Sequence, residues 1–535
     1  MAVLRHPSTL LVALLGLTLG LLGAVQPVDS IVPWVIQIVD GVAWSDVWRP
    51  IHNPEPMDTY AYRPLSVVML KLGLVLTGRN IWAMTLLHAL TPMAFGVIAI
   101  GFLRRHGFEQ RFAALGAASA IVMPSMLFSA WICVEFDLVG ALFVMLAASA
   151  LRDFEDASGA QKTALLRKFW MWAFIAMTVK ETSALQLFAY LAAFAWMRRT
   201  DRTWWKLTAW YLLGLLVCTA PMHFVSGGSD HAFTLWSDNF HPIRLAGILL
   251  HTSAQLLFLV SGAGVVLLLA VRTGPRLLAL LTAALFAAPI VRWYSHFEAV
   301  IFSSGLWTAA GVLGLAVAIA GLIRGPGSRP ERTLALCVGL TVLGYAAAPV
   351  LLRFARADVS ARIFAMCAPF LHAVIWRSVA SHFSRGRVAT AVAATAFAGF
   401  VLASGVNSVW FHRTRLMVED EAKQVMADDL RMGCPALVAT NPVQQLTVEE
   451  LRDRGGKLDT CAWVETTTAN PPAGQSFDEA VANGLITLDK GQDAYLFIQT
   501  ARSQMDAETN RILAGDFGWA QAWLPESDDD LFAAF

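Results

Sequence analysis

Long apolar runs separated by short charged links organise this chain. The first runs from about Thr9 to Val25 behind Arg5 and His6, and others cover about 81–103, 111–129, 137–151, 205–225, 245–271, 277–293, 300–323, 333–352, 363–380 and 388–411. As helices, such runs cross the roughly 30 Å of a bilayer's hydrocarbon. Gln26-Pro27 makes a poor cleavage site, so the first run predicts a retained helix with its N-terminus in the cytoplasm. Residues 169–197 form an apolar stretch with Lys180-Glu181 at its centre, flanked by Arg167-Lys168 and Arg198-Arg199. The positive-inside rule places both flanks in the cytoplasm. A single span would also bury the charged pair, at roughly 2.5–3.5 kcal/mol per charge. Two short helices with Lys180-Glu181 at the outer tip satisfy both constraints and predict about 13 spans, with the C-terminus outside.

Two outward segments exceed a turn. The first loop, 26–80, holds an apolar stretch over 64–78 that carries Lys71 and is short for a span, which predicts an interfacial helix. The tail, 412–535, alternates apolar runs at Ala436–Ala439, Cys461–Val464, Ala494–Gln499 and Ala520–Leu524 with polar helical stretches at Thr447–Arg454 and Ser503–Ala514. The expected architecture is an α-helical polytopic membrane protein over 1–411 followed by a small α/β extracytoplasmic domain over 412–535.

Composition agrees. Of 535 residues, 56% are hydrophobic and 15% charged, against about 45–50% and 25% in soluble chains; a soluble enzyme is excluded. A net charge of +1 gives no bulk attraction to nucleic acid. That neutrality is an average: the predicted cytoplasmic links carry +14, the outward links −2 and the tail −11. Cys434 and Cys461, the only cysteines in the tail, are disulfide candidates in an oxidising compartment. No metal-type Cys/His spacing and no asparagine glycosylation acceptor occurs. A bacterial inner membrane with a periplasmic tail is the expected location.

Polar groups near the outer helix ends are the candidate chemistry. Asp29 follows the first helix, and Asp40, Asp46, Glu55 and Asp58 lie further along the loop. Glu135 and Asp137 occupy the turn before the 137–151 span, and Lys180-Glu181 the next outward tip. An acid here can deprotonate an acceptor hydroxyl, and a cation can neutralise a phosphate leaving group. Arg63, Arg292, Arg353, Arg356 and Arg362 are outward cations of that kind. The structural readings stand beside these: loop carboxylates such as Asp46 are often solvated, Trp34, Trp44 and Trp48 often anchor at the interface, and His88 fits a hydrogen-bonded interior group.

Tyr62-Arg63-Pro64-Leu65, Asn80-Ile81-Trp82, Leu86-Leu87-His88-Ala89-Leu90, Pro124, Ala130-Trp131-Ile132, Asp137-Leu138-Val139-Gly140, Lys180-Glu181-Thr182 and Trp44-Ser45-Asp46-Val47-Trp48 recur here in a specific order. Over about residues 10–270 this resembles the GT-C glycosyltransferases, within them the branch of transmembrane tetratricopeptide-repeat O-mannosyltransferases. The resemblance implies transfer of a sugar from a polyprenyl-phosphate carrier at the outer leaflet to a glycan, lipid or protein acceptor, with Asp29 as catalytic base. The second acid and the histidine usual in that branch are Ser30 and Met123 here, and the repeat array is absent. Donor-side contacts are expected from Asp46, Tyr62, Arg63, Glu135, Asp137, Lys180 and Glu181, with Arg292 and Arg353 further along. No cofactor is certain; a divalent metal on Glu135 and Asp137 is the candidate. A lipid-linked-sugar transporter, a non-catalytic membrane scaffold and an oligosaccharide ligase remain the alternatives.

Overall fold

The computed structural model describes residues 6–25, 42–47, 64–225, 319–325, 327–351 and 364–382, two strands in the tail and a few isolated positions. Asp29, Tyr62, Arg63, Arg292, Arg353, Cys434 and Cys461, and the side chains of Asp46 and Glu181, lie outside the described residues. The chain divides into two compact units: Met1–Ala24 with Val42–Val409 and Ala534–Phe535, and Val25–Gly41 with Trp410–Ala533.

The first unit is helical where it is described. Its helices are α1 (Pro7–Ala24), α2 (Pro64–Thr77), α3 (Ile81–His88), α4 (Leu90–Arg105), α5 (Gln110–Ile121), α6 (Pro124–Trp131), α7 (Asp137–Asp156), α8 (Gly159–Val179), α9 (Glu181–Met197), α10 (Arg202–Val225), α11 (Arg329–Leu351) and α12 (Cys367–His382). In the tail, β1 (Ala436–Ala439) pairs in parallel with β2 (Ala462–Glu465), Ala436 opposite Ala462. Parallel neighbours need a crossover connection, and the polar stretch 447–454 predicted between them lies outside the described residues.

The apolar runs place the helices but miss some ends. The expected 111–129 span is two helices, because Pro124 has no backbone N–H to continue α5 and the chain turns through Val122 and Met123 before α6. The 81–103 span likewise shifts at Ala89, between α3 and α4. Helix α8 begins at Gly159, ten residues before the apolar run, since its exposed first turns can carry Lys162, Arg167 and Lys168. Asn80 caps α3 by accepting from the Ala83 N–H at 3.0 Å.

Helices α7, α8 and α9 run up, down and up, so that Lys180 returns to Asp137 and Arg198 to Glu155. The bundle therefore has two chemically distinct ends. At one, Arg105 pairs with Asp153 at 3.0 Å, Arg152 with Glu155 and Asp156 at 2.9 Å, and Arg198 with Glu155. His106 is buried there between Phe102 O, 2.8 Å from Nδ1, and Tyr190 Oη, 2.9 Å from Nε2. A carbonyl only accepts, so Nδ1 carries the proton and Nε2 accepts from the tyrosine. Burial pushes the imidazole down to about 3, which keeps it neutral. The other end holds Glu135, Asp137 and Lys180.

Glycines let α1 lie against α4. A Cβ on Gly16 would fall 2.6 Å from Pro92 O, and one on Gly20 would run into Ala89 O. This is the close backbone approach that a Gly-x-x-x-Gly spacing permits. At Gly23 the same space is filled by the Trp131 ring, whose Nε1 donates to Leu19 O at 2.8 Å. The outward faces stay apolar: Leu11 is 66% exposed, Leu76 77% and Trp210 64%. In a lipid solvent such faces need no cover, whereas in water they would form a large apolar patch.

A Gly20→Ala substitution is expected to lower the melting temperature in detergent, by overpacking worth about 1–3 kcal/mol, because the obstructing atoms are backbone. Gly344→Ala, where a Cβ meets nothing within 4 Å, should leave it unchanged or slightly raised. Equal behaviour of the two variants would show that the α1 crossing is not packed as described.

Candidate active site

The site is built from two chain breaks. Helix α6 ends at Trp131, and the chain turns through buried Ile132, Cys133 and Val134, with the Glu135 N–H bonded to Ile132 O at 2.9 Å. Helix α7 then starts at Asp137, closed by a Gly140 N–H to Phe136 O bond of 2.7 Å. Asp137 thus sits in the first turn, where the helix dipole favours a carboxylate. The second break is Lys180, extended at φ −156° and ψ 135° between α8 and α9. It follows the C-terminus of α8, the end that favours a cation. Its carbonyl accepts from the Ser183 and Ala184 N–H groups and so starts α9.

These breaks bring three charges together. Lys180 Nζ donates to Asp137 Oδ2 at 2.7 Å and to Glu135 Oε2 at 3.2 Å. All three residues are buried, at 3–5% exposure. An isolated charge at such depth is costly, so the mutual pairing is a condition of the fold here rather than an ornament. The sequence placed these residues at neighbouring outer turns; the structure joins Glu135, Asp137 and Lys180 into one cluster. Asp46 lies in a short 3₁₀ turn, Trp44–Asp46, and the neighbouring Trp44 ring faces Lys71 Nζ of α2 at 5.4 Å.

Glu135 and Asp137, the expected holders of a divalent ion, each face the Lys180 ammonium in this structure. Hard cations take about six oxygen ligands, whereas these carboxylates converge on an ammonium. No group of three or more His, Cys, Asp or Glu suited to a metal occurs among the described residues. Lys180 takes the central position, with two of its three N–H donors engaged.

Ser183, Tyr211, Tyr345 and Gln186, which brace the start of α9, were not singled out by their sequence, whereas Gly140 stood in the Asp137-Leu138-Val139-Gly140 motif and His88 was expected to be a hydrogen-bonded interior group. Gly140 has no side chain because Ser183 occupies its space: a Cβ there would run into Ser183 Oγ and lie 2.9 Å from its Cβ. Removing that side chain lets the first turns of α7 and α9 touch, so that Lys180 reaches Asp137. Helix α9 is held from two more sides. Tyr211 of α10 donates to Ala184 O at 2.9 Å, and Tyr345 of α11 donates to Thr182 O at 2.8 Å while lying 3.2 Å from Gln186 Nε2. His88 Nε2 donates to Ser129 O at 3.1 Å and so braces α6 against α3. The three-residue offsets Asp137 to Gly140 and Lys180 to Ser183 are visible in sequence, but nothing there says that they face each other.

Lys180→Met is expected to destabilise the protein by about 3–5 kcal/mol, because it leaves two buried carboxylates without their cation. Adding Glu135→Gln and Asp137→Asn should recover most of that loss. Unfolding midpoints in detergent measure both; a single variant as stable as wild type would show that the cluster is not a buried ion pair.

No family model matches the chain, and no curated protein matches it either. Among solved structures, the crystal structure of ArnT from Cupriavidus metallidurans bound to undecaprenyl phosphate is similar, with 16% identity, coverage of 89% of this chain and 94% of that one, and a TM-score of 0.41.

Proposed function

We propose that this protein is an integral-membrane glycosyltransferase that moves a sugar from a polyprenyl-phosphate carrier to an acceptor hydroxyl at the outer leaflet. The observation that carries the reading is the buried Lys180 ammonium, fixed by Glu135 and Asp137 in a bundle whose outward faces are apolar. A lipid-borne donor keeps its chain in hydrocarbon and its phosphate at the boundary. It therefore calls for a rigid cation there. Lys180 is held as such a cation by its two carboxylates, and its third N–H is the donor a phosphate oxygen would take.

The chemistry follows from the two charges. As the acceptor oxygen attacks the anomeric carbon, its proton passes to a base while negative charge grows on the departing lipid phosphate. Lys180 stabilises that charge from a preorganised, water-poor position. Glu135 and Asp137 hold the ammonium in place and are not proposed to take the acceptor proton, since each is already engaged with a cation. That role is proposed for Asp29, four residues beyond Val25 in the sequence, on the strength of the GT-C resemblance. One displacement with one base inverts the anomeric centre. We propose that no metal takes part at Glu135 and Asp137, its electrostatic role falling to the ammonium.

The test is reconstituted protein supplied with a polyprenyl-phosphate monosaccharide and a hydroxyl acceptor. Sugar transfer and release of polyprenyl phosphate should rise together and be unaffected by a strong chelator. Asp29→Asn should insert and fold normally and lose roughly 10²–10⁴-fold in rate. Full activity of that variant removes Asp29 as base. Movement of intact donor across the bilayer without lipid-phosphate release would identify a transporter instead.

A further inference from the structure

One hydrogen bond in the bundle joins the interfacial helix to the break that carries the cation. Ser66 Oγ of α2 donates to Val179 O at 2.6 Å, across 113 positions of sequence. Ser66 is 1% exposed and Val179 fully buried. The last carbonyls of a helix have no partner within it, and a buried carbonyl requires one. Ser66 supplies that partner at the C-terminus of α8.

The choice of carbonyl matters. Val179 C=O and Lys180 N–H belong to one planar peptide unit, so the direction of the carbonyl sets the rotation from which the Lys180 backbone departs. In an uninterrupted helix the Val179 carbonyl would accept from the N–H of Ser183, four residues on. Here the Ser183 N–H bonds to Lys180 O instead, and Ser66 holds the carbonyl that a continuous helix would use. Withdrawing the hydroxyl removes the main competitor of helix continuation at this point. Lys180 would then shift from its extended conformation, and its ammonium would leave the geometry set by Asp137.

We infer that Ser66 is a positioning residue for Lys180: its hydroxyl holds the α8–α9 break open and so presents the ammonium to a lipid-borne phosphate. The inference rests on the proposed role of Lys180 in binding that phosphate. Helix α2 is suited to the task, since Pro64 begins it with a backbone angle already set for a helix. It also leaves Leu72, Val75 and Leu76 outward, at 48%, 70% and 77% exposure, against the lipid.

The experiment compares binding of a long-chain polyprenyl phosphate with that of the uncharged polyprenol, by purified full-length protein in detergent. Ser66→Ala is expected to weaken polyprenyl-phosphate binding about tenfold, the scale of one lost hydrogen bond, while polyprenol binding stays within about twofold. Ser66→Thr, which keeps the hydroxyl, should restore the phosphate preference. A purely structural role would weaken both ligands alike, and that result overturns the inference. The reference is the neutral triple variant Lys180→Met, Glu135→Gln, Asp137→Asn, which should lose the phosphate preference altogether. If the triple variant loses it and Ser66→Ala keeps it, the positioning role of Ser66 is wrong and the reading of Lys180 stands. If the triple variant keeps it, phosphate binding by Lys180 is wrong as well.

Discussion

An ammonium ion at the end of an apolar helical bundle is tolerated only while it faces opposite charge, and that constraint orders everything around Lys180. Glu135 and Asp137 must arrive on the same side, so α6 has to end and α7 begin within a few residues of each other. Helices α8 and α9 must separate at the lysine, so one backbone unit leaves the helical conformation. Gly140 must lack a side chain so that α9 can close on α7. A change at any of these positions reaches the ion through the packing, because close-packed interiors transmit displacement rather than absorb it.

The two ends of the bundle solve the problem of charge differently. At the end with Arg105, Arg152 and Arg198, the guanidinium groups meet carboxylates, the Arg105–Asp153 pair being exposed and the Arg152–Glu155 pair half-buried, while Arg198 is itself buried against half-buried Glu155. Exposed pairs of this kind are worth little individually; their use is to terminate helices in a polar layer. At the opposite end a lysine is buried among carboxylates, a choice that costs desolvation and adds little stability over an apolar replacement. Where a fold carries such a cost, a functional reason is the natural explanation.

Much of this was legible in the sequence. A charged pair inside an apolar stretch with basic flanks on both sides admits a helical hairpin with the pair at its tip, and the chain breaks at Lys180. Asp137 read as an outer helix end, and β1 and β2 match two of the apolar runs in the tail. The division of the 111–129 span was visible in Pro124 but was smoothed over by continuous hydrophobicity. Gly16-x-x-x-Gly20 was likewise available as a pattern. The roles of Ser66 and Gly140 were not, because each depends on a partner more than forty positions away, and a serine or a glycine in an apolar helix looks the same whether or not a neighbour needs it. Pairing of Lys180 with both acids was similarly hidden: charge periodicity locates a helix end but does not say which ends meet.

The break at Lys180 also settles a question of parity. Without it, the residues from Gly159 to Met197 would form one rod of thirty-nine residues, about 58 Å long, nearly twice the thickness of a bilayer's hydrocarbon. With it, the chain doubles back, and α10 begins from the end of the bundle opposite to the one it would otherwise use. A single non-helical residue therefore sets the direction in which α9 runs and from which α10 begins. The side chain proposed to meet the donor phosphate belongs to that same residue. Moving this lysine along the helix by a turn would take the ammonium away from the break that turns the chain back toward α10.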